Sequence, residues 1–298
     1  MKPGELIHLA GPVWLLAGQR QGRFPFCHGV LIKDRAATAL VDTGGGAGVL
    51  APLARSGRVD MVINSHTHPD HSAGNHLFAG AEILVPAAGW DTAGDKRKLS
   101  ERLTEPGRTA EVWRRFVTRE MGFADQRPTG SFAPGHSLWV GSTELQVIAT
   151  PGHTLDHCCF WLPRHGVLLS ADLDLTSFGP FYGHRESSLA QMRADIRRIG
   201  EIAPRWLVSS HREPMTQGVA KALRAFGEIL GQRERRILAL LAQEKTRQEL
   251  VDASPIYGGH RAWPELTRYW EGQMIDKHLE ELLGKEMVRF TGRGFLAA

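Results

Sequence analysis

The sequence of 298 residues predicts a layered α/β domain that continues into a helical C-terminal region. In the first third, short apolar runs alternate with turns rich in glycine and aspartate, which is typical of β-strands. Strands and helices then follow one another in the order of layered α/β domains. After His211 the apolar residues recur at helical spacing almost to the end of the chain.

The composition is that of an ordinary globular protein. Hydrophobic residues make up 42% and charged residues 23% of the chain, which excludes wholesale disorder. Lysine and arginine number 36 against 32 aspartates and glutamates, and the net charge of +4 argues against a protein dedicated to nucleic acid or a membrane surface. No apolar run approaches the roughly 20 residues that a transmembrane helix requires.

The cysteines indicate the cellular compartment. An odd count of three, Cys27, Cys158 and Cys159, is no disulfide framework, so we expect a reducing cytoplasm. Residues 6–17 lack a convincing cleavage site and are interpreted as two strands rather than a signal peptide. Because Cys158 and Cys159 are adjacent on a predicted strand, burial on its two faces is favoured over thiol chemistry.

Eleven segments have the short apolar pattern of strands and are bounded by turn residues. They cover residues 6–9, 13–17, 28–33, 39–41, 59–63, 83–85, 137–140, 144–149, 158–162, 167–170 and 205–208. Helical spacing predicts helices over 49–55 and about 189–202. A helical insertion, dense in charge, occupies about residues 90–132, with a break between its helices at Pro106-Gly107.

The C-terminal region, residues 219–298, is predicted as a helical connector and a small separate domain. Its predicted helices cover 219–230, 233–243, 248–253 and 266–283, and a strand pair, 287–291 and 294–296, turns on Gly292-Arg293. Helices followed by a β-hairpin form the winged-helix order. We therefore expect a first domain over 1–218 and a winged-helix-like domain at the end of the chain.

The strongest chemical signal follows the predicted strand 59–63. His66-x-His68-x-Asp70-His71 places three imidazoles and a carboxylate within six residues, and these groups suit zinc, iron or manganese. His153, Asp172 and His211 each follow a later strand. Any one of the three would fit a helix cap or a loop, but their ordered placement at strand ends favours a metal site.

These residues resemble the metallo-β-lactamase superfamily. The His-x-His-x-Asp-His signature is complete, the later Gly-His, Ala-Asp and Ser-His positions follow in the family's order, and the resemblance spans roughly residues 6–218. It implies an αββα sandwich with two metal ions at the edge between the sheets. It further implies the ligand sets, with Asp172 shared: His66, His68 and His153 for the first ion, Asp70, His71 and His211 for the second.

The resemblance also implies supporting roles. Asp42, in Val41-Asp42-Thr43-Gly44, matches the family's early acidic motif and would support the metal site from outside the ligand set. His76 and His157 are predicted to be structural or to lie outside that set. Two divalent ions, most simply Zn²⁺ but also Fe or Mn, would share a hydroxide that attacks the substrate.

Two positions favour hydrolysis within the superfamily. The oxygen-reducing flavo-di-iron branch has an acidic residue where this chain has His68, and secreted class B β-lactamases usually lack the aspartate found here as Asp172. The glyoxalase II-like hydrolases remain, together with lactonases and nucleases. The first hypothesis is therefore a cytoplasmic dinuclear hydrolase of a small-molecule ester, thioester or lactone.

The alternative is a metal-dependent endoribonuclease or phosphodiesterase. A metallo-β-lactamase domain followed by a winged helix resembles the β-lactamase-like protein 2 branch, which includes endoribonucleases. However, the presumed recognition helix, residues 266–283, carries a net charge of −2 and residues 233–298 carry only +1. A surface that follows phosphates should be distinctly basic, which disfavours nucleic acid without excluding it. The tail is then expected to serve as a packing element, a lid or the contact of a homodimer.

Other catalytic candidates lie near the metal ligands. Asp70 is both a ligand and a catalytic candidate. Tyr182 and His184 lie in a loop after Asp172, where they either donate hydrogen bonds to a substrate oxyanion or only order the loop. In the insertion, Trp113, Phe116 and Phe123 either line a pocket for an acyl group or pack between helices. A winged-helix regulator with a relict metal domain is disfavoured because all seven candidate ligands are present.

Overall fold

Two β-sheets packed face to face lie at the centre of the protein. The computed structural model describes residues 1–260 and 262–298. The first sheet has seven strands in sequential order: β1 (Leu6–Ala10), β2 (Val13–Leu16), β3 (Gly29–Lys33), β4 (Thr38–Val41), β5 (Met61–Ile63), β6 (Glu82–Pro86) and β7 (Gly130–Phe132). Strands β1 to β4 are antiparallel, and β4 to β7 are parallel.

The second sheet has five strands in the order β12-β11-β10-β9-β8. Their bounds are β8 (Ser137–Val140), β9 (Thr143–Ala149), β10 (Cys158–Leu162), β11 (Val167–Ala171) and β12 (Trp206–Ser209). Only β11 and β12 are parallel among the described pairs of this sheet. Each predicted strand is present with its ends shifted by no more than two residues, and β7, inside the predicted insertion, is additional.

Helices cover the outer faces of both sheets. The described α-helices of the whole chain are α1 (Ala47–Arg55), α2 (Pro69–Ser72), α3 (Lys96–Leu103), α4 (Arg108–Met121), α5 (Leu189–Gly200), α6 (Val219–Leu240), α7 (Arg247–Ala253) and α8 (Pro264–Gly284). Helix α1 packs on the first sheet through Val49 and Leu50, and α5 packs on the second through Met192 and Ile199. The αββα layering is thereby confirmed. None of the described helices is both long enough and apolar enough to cross a membrane.

Side chains alternate between the two faces of the strands. In β10, Cys158 and Phe160 lie in the core between the sheets, whereas Cys159 faces the helices on the outer side. Both cysteines are fully buried, and burial raises the pKa of their thiols, which keeps them protonated at neutral pH. The structural interpretation of the pair is confirmed.

The insertion and the C-terminal region share one apolar core. The predicted break is present between α3 and α4, and α4 packs against α8. Helix α6 is continuous, so the break predicted at residues 231–232 is wrong. Leu230, Arg233 and Ile237 are all buried and one helical turn apart, so this buried face continues across Gly231. After α8, a hairpin of β13 (Val288–Phe290) and β14 (Phe295–Ala297) completes the predicted order. Whether the region is a winged helix and a separate domain stays a prediction.

Candidate metal centre and active site

All seven predicted ligands converge at one edge of the two sheets. Each follows the carboxyl end of a strand: residues 66–71 follow β5, His153 follows β9, Asp172 follows β11 and His211 follows β12. They form two groups whose potential ligand atoms lie within 4.8 Å of one another. The groups are His66, His68, His153 and Asp172, and Asp70, His71, Asp172 and His211. Asp172 belongs to both.

The ring nitrogens of three histidines are oriented by partners outside these groups. Each Nδ1 donates to an oxygen that can only accept: His71 to Asp42 Oδ2 at 2.9 Å, His153 to the Phe181 carbonyl at 2.9 Å and His211 to the Gly22 carbonyl at 2.8 Å. In a neutral imidazole this leaves Nε2 without a proton. Such a hydrogen bond on the other nitrogen is the usual arrangement of a metal-bound histidine.

The Nε2 atoms of the same three histidines face the carboxylate of Asp172, and that of His153 also lies 2.9 Å from His68 Nδ1. Nε2 of His71, His153 and His211 lies 2.8, 3.2 and 3.3 Å from its oxygens, all in a buried site. Nε2 of His66 and of His71 and Oδ1 of Asp172 have no hydrogen-bond partner among the described residues. The short distance between His71 and Asp172 therefore lacks hydrogen-bond geometry. A proton or a metal ion must lie between such nitrogens and the carboxylate, and imidazole nitrogens grouped with carboxylate oxygens suit divalent metal ions.

The two groups differ in charge. Burial, joined by the neighbouring histidines, lowers the pKa of His66 and of His68 well below the usual range. Burial opposes charge on His71 and His211 too, yet Asp172 and the other nearby aspartates raise the pKa of His71 and bring that of His211 to about 9. Positive charge is therefore stabilised most strongly beside Asp70 and Asp172, where a second metal ion would supply it.

Asp42 supports this centre from outside the ligand set, as predicted. Besides His71, its carboxylate accepts hydrogen bonds from the Ser65 amide at 2.7 Å and the Ser65 hydroxyl at 2.8 Å. Position 44 must be glycine for steric reasons, because a Cβ on Gly44 would lie 1.4 Å from the carbonyl oxygen of Asp70. The Asp42-Thr43-Gly44 turn thus fixes the backbone of the metal-binding loop, residues 66–71.

The family model of the metallo-beta-lactamase superfamily matches residues 22–211, which is more than half of the chain and contains every predicted ligand. This chain belongs to the metallo-β-lactamase superfamily. A metallo-beta-lactamase family protein from Thermus thermophilus has the same fold, with a TM-score of 0.73 at 21% identity, over 96% of this chain and 99% of that one.

Two curated relatives of this superfamily member carry hydrolase names. A hydroxyacylglutathione hydrolase from Rhodospirillum rubrum is 28% identical to this chain over 200 residues. The matched segment covers 65% of this chain and 64% of the relative's length. An acyl-coenzyme A thioesterase, MBLAC2, from Gallus gallus is 26% identical to this chain, and the match covers 66% of this chain and 69% of the relative's length.

A buried charge network braces the metal-binding loop of this metallo-β-lactamase-fold protein and was not predicted from sequence. Arg102 of α3 bonds to Asp156 at 2.7 Å and to Glu186 at 2.8 Å. Asp156 also accepts a hydrogen bond from the amide of Thr67 at 3.0 Å, between the ligands His66 and His68. Nothing in the charged sequence of the insertion distinguishes Arg102 from its exposed neighbours.

The two histidines outside the ligand set have the structural roles predicted for them. His157 accepts the Asp172 amide N–H at Nε2, 3.0 Å away, while its Nδ1 lies 2.7 Å from the Thr150 hydroxyl. His76 Nδ1 donates to the Ala73 carbonyl at 2.8 Å. His157 therefore positions the backbone of the shared ligand, whereas His76 holds a local turn.

Tyr182 does not face the metal centre, so its predicted role as an oxyanion donor is wrong. The side chain is fully buried, and its hydroxyl lies 2.8 Å from Nε2 of His278 in α8. Phe181 lines the active-site cavity in its place. Adjacent residues of an irregular loop have no fixed periodicity, and contact with the C-terminal region decides which ring turns inward.

His184 lines the active-site cavity, and its ring centroid lies 4.6 Å from that of His68. Its Nδ1 donates to the Leu103 carbonyl at 3.3 Å. Burial lowers the pKa of His184 to about 3, so the ring is neutral at pH 7 and Nε2 is an acceptor. This geometry favours substrate positioning by His184 over donation to an oxyanion, and its catalytic role stays a prediction.

Two substitutions separate these roles. We expect Tyr182→Phe to leave kcat and KM unchanged and to lower the free energy of unfolding by about 1 kcal/mol, because it removes one hydrogen bond and keeps the ring. We expect His184→Ala to raise KM more than it lowers kcat, measured by steady-state kinetics and urea unfolding. A fall in kcat on the order of 100-fold at constant KM would restore the donor role of His184.

Proposed function

We propose that this protein is a dinuclear metal-dependent hydrolase of an ester, thioester or lactone of a small molecule. The observation that carries the proposal is the pair of ligand groups that share Asp172. Bound divalent ions, for which we propose zinc, would lower the pKa of a water molecule and polarise the scissile carbonyl. In a thioester, water adds to the acyl carbon, the C–S bond breaks, and an acid and a thiol are released.

The chain's own residues orient the centre and give access to it. Asp42 and the carbonyls of Phe181 and Gly22 fix the tautomers of three ligand histidines, so little reorganisation is needed when metal binds. A cavity of about 710 Å³ opens onto His68, His153 and Asp172, a volume typical of small-molecule sites. One relative named as an acyl-coenzyme A thioesterase supports thioesters as the first substrates to test.

The wall of the same cavity argues against the nuclease alternative. Among the described residues that line it, Arg23 is the one arginine and lysine is absent. A phosphodiester chain carries one charge per nucleotide and is bound by several basic side chains. An uncharged acyl group requires no such contacts.

The proposal is tested by metal analysis and a substrate panel. We expect the 298-residue protein to bind up to two transition-metal ions per chain by elemental analysis. The apoprotein, reconstituted with zinc, manganese or iron, should hydrolyse members of a panel of thioesters, lactones and esters. Absence of metal under metal-replete conditions would overturn the metal assignment. Cleavage of single-stranded RNA, without hydrolysis of any thioester, ester or lactone, would favour the nuclease instead.

A further inference from the structure

The cavity that begins at the metal ligands continues into a wall of aromatic rings. Starting from the ligand His153, the ring of Phe181 lies 5.8 Å away, and Trp270 lies 5.8 Å beyond it. Phe116 follows at 6.2 Å, and Phe24 at a further 5.9 Å. Phe24 is 51% exposed, so this series of rings runs from the metal centre to the protein surface.

Four separate parts of the chain build this wall. Phe24 precedes β3, Phe116 belongs to the insertion, Phe181 lies in the loop after β11, and Trp270 belongs to α8 of the C-terminal region. Trp263, just before α8, packs edge-on against Phe116 at 5.0 Å. The two regions that the sequence predicts to be additions to the α/β core therefore form much of the substrate-facing surface.

The chemistry of this wall selects an uncharged, apolar group. Aromatic rings offer a large apolar area to a bound ligand. The charged side chains of the cavity lie among the metal ligands or at the mouth, where Arg23 is exposed beside Phe24. A charged carrier, such as a nucleotide-bearing thiol, would lose hydration along the rings without gaining partners.

The part of the cavity walled by Phe24, Phe116, Phe181 and Trp270 is called the aromatic chamber. We propose that this chamber binds the acyl side of the substrate, and that this side is a bulky apolar group rather than a small or hydroxylated one. The inference rests on the proposed hydrolase function and specifies its substrate class. The acyl carbonyl would lie at the metal centre, the acyl tail would extend along Phe181, Trp270 and Phe116, and the charged part of a thiol carrier would stay in solvent.

The test uses the zinc-loaded 298-residue protein and a series of N-acetylcysteamine thioesters, whose thiol is small and uncharged. The acyl groups are acetyl, butyryl, hexanoyl and octanoyl. We expect kcat/KM to rise roughly fourfold for each added methylene, the equivalent of about 0.8 kcal/mol of buried CH₂. Octanoyl has six more methylenes than acetyl, so the octanoyl-to-acetyl ratio should approach roughly 4,000-fold if all of them are buried.

Two variants and a matched control connect this preference to the chamber. Thr267→Phe fills the cavity from α8, and Phe24→Ala removes the ring at its mouth. Each should lower the octanoyl-to-acetyl ratio at least fivefold, with circular dichroism confirming that the variant is folded. Trp139→Ala is the control, because Trp139 is 53% exposed on β8 and is not part of the cavity wall. It should leave the ratio unchanged.

A binding measurement with a ligand that cannot be hydrolysed distinguishes failure of this inference from failure of the proposed function. The S-octyl thioether of the same thiol cannot be hydrolysed, and its binding is followed by the change in tryptophan fluorescence, since Trp113, Trp263 and Trp270 line the cavity. Thioester hydrolysis with no preference for longer acyl groups would overturn the inference and retain the hydrolase. Saturable thioether binding that Thr267→Phe abolishes, with no hydrolysis, would support the chamber and refute the hydrolase. Neither binding nor hydrolysis would refute both.

Discussion

Asp172→Ala should abolish retention of both metal ions and lower hydrolysis by more than about 100-fold. Loss of a partner outside the ligand set already costs on the order of 10–100-fold in metal affinity or activity, and Asp172 belongs to both ligand groups. The Nε2 atoms of His71, His153 and His211 would also lose the carboxylate that they face. Elemental analysis and kcat/KM on the best thioester are the measurements.

Two companion variants make this result specific. Asp70→Ala should affect chiefly the second ion, because Asp70 belongs only to the group that contains His71 and His211. Asp174→Asn is the control, since Asp174 is a nearby cavity residue outside both ligand groups. It should keep both ions. An Asp172→Ala protein that still holds two ions per chain would refute the shared-ligand assignment.

Arg102→Met should produce the largest loss of stability, about 3–5 kcal/mol in the free energy of unfolding, because it leaves charges buried without their partner. Asp156 is fully buried and Glu186 is 9% exposed, and both accept hydrogen bonds from the Arg102 guanidinium. Urea denaturation at neutral pH, followed by far-UV circular dichroism, measures the change.

The matched control lies on the same helix. Arg97 pairs with Glu101 at 3.0 Å, but the two side chains are 64% and 46% exposed. Surface pairs of this kind contribute less than about 1 kcal/mol, so Arg97→Met should change stability little. Equal losses in Arg97→Met and Arg102→Met would mean that α3 itself, rather than the buried network, sets the stability.

The fold and the ligand set were predictable because both depend on local patterns. Strands of this domain are short, apolar and bounded by turns, and the ligands follow them directly, as His153 follows β9. Since several strands end at one edge of the sheets, a residue's place after its strand also indicates its place in the molecule. The role of Asp42 beside the centre came instead from the resemblance of Val41-Asp42-Thr43-Gly44 to the family's early acidic motif.

The sequence by itself therefore determined a layered α/β domain, the seven candidate ligands and the break within the insertion, and the family resemblance specified the αββα layers. Only the tertiary structure decided that Phe181 rather than Tyr182 faces the cavity and that the insertion and α8 together wall the active site. It also decided that Arg102 pairs with the buried carboxylate of Asp156. The physical reason is the distance along the sequence between the residues that interact. A strand, a turn or a ligand motif is encoded within a few residues, whereas the direction of a loop side chain and the burial of a charge depend on partners far away in sequence. Tyr182 and His278 are 96 residues apart, and Arg102 and Glu186 are 84 apart.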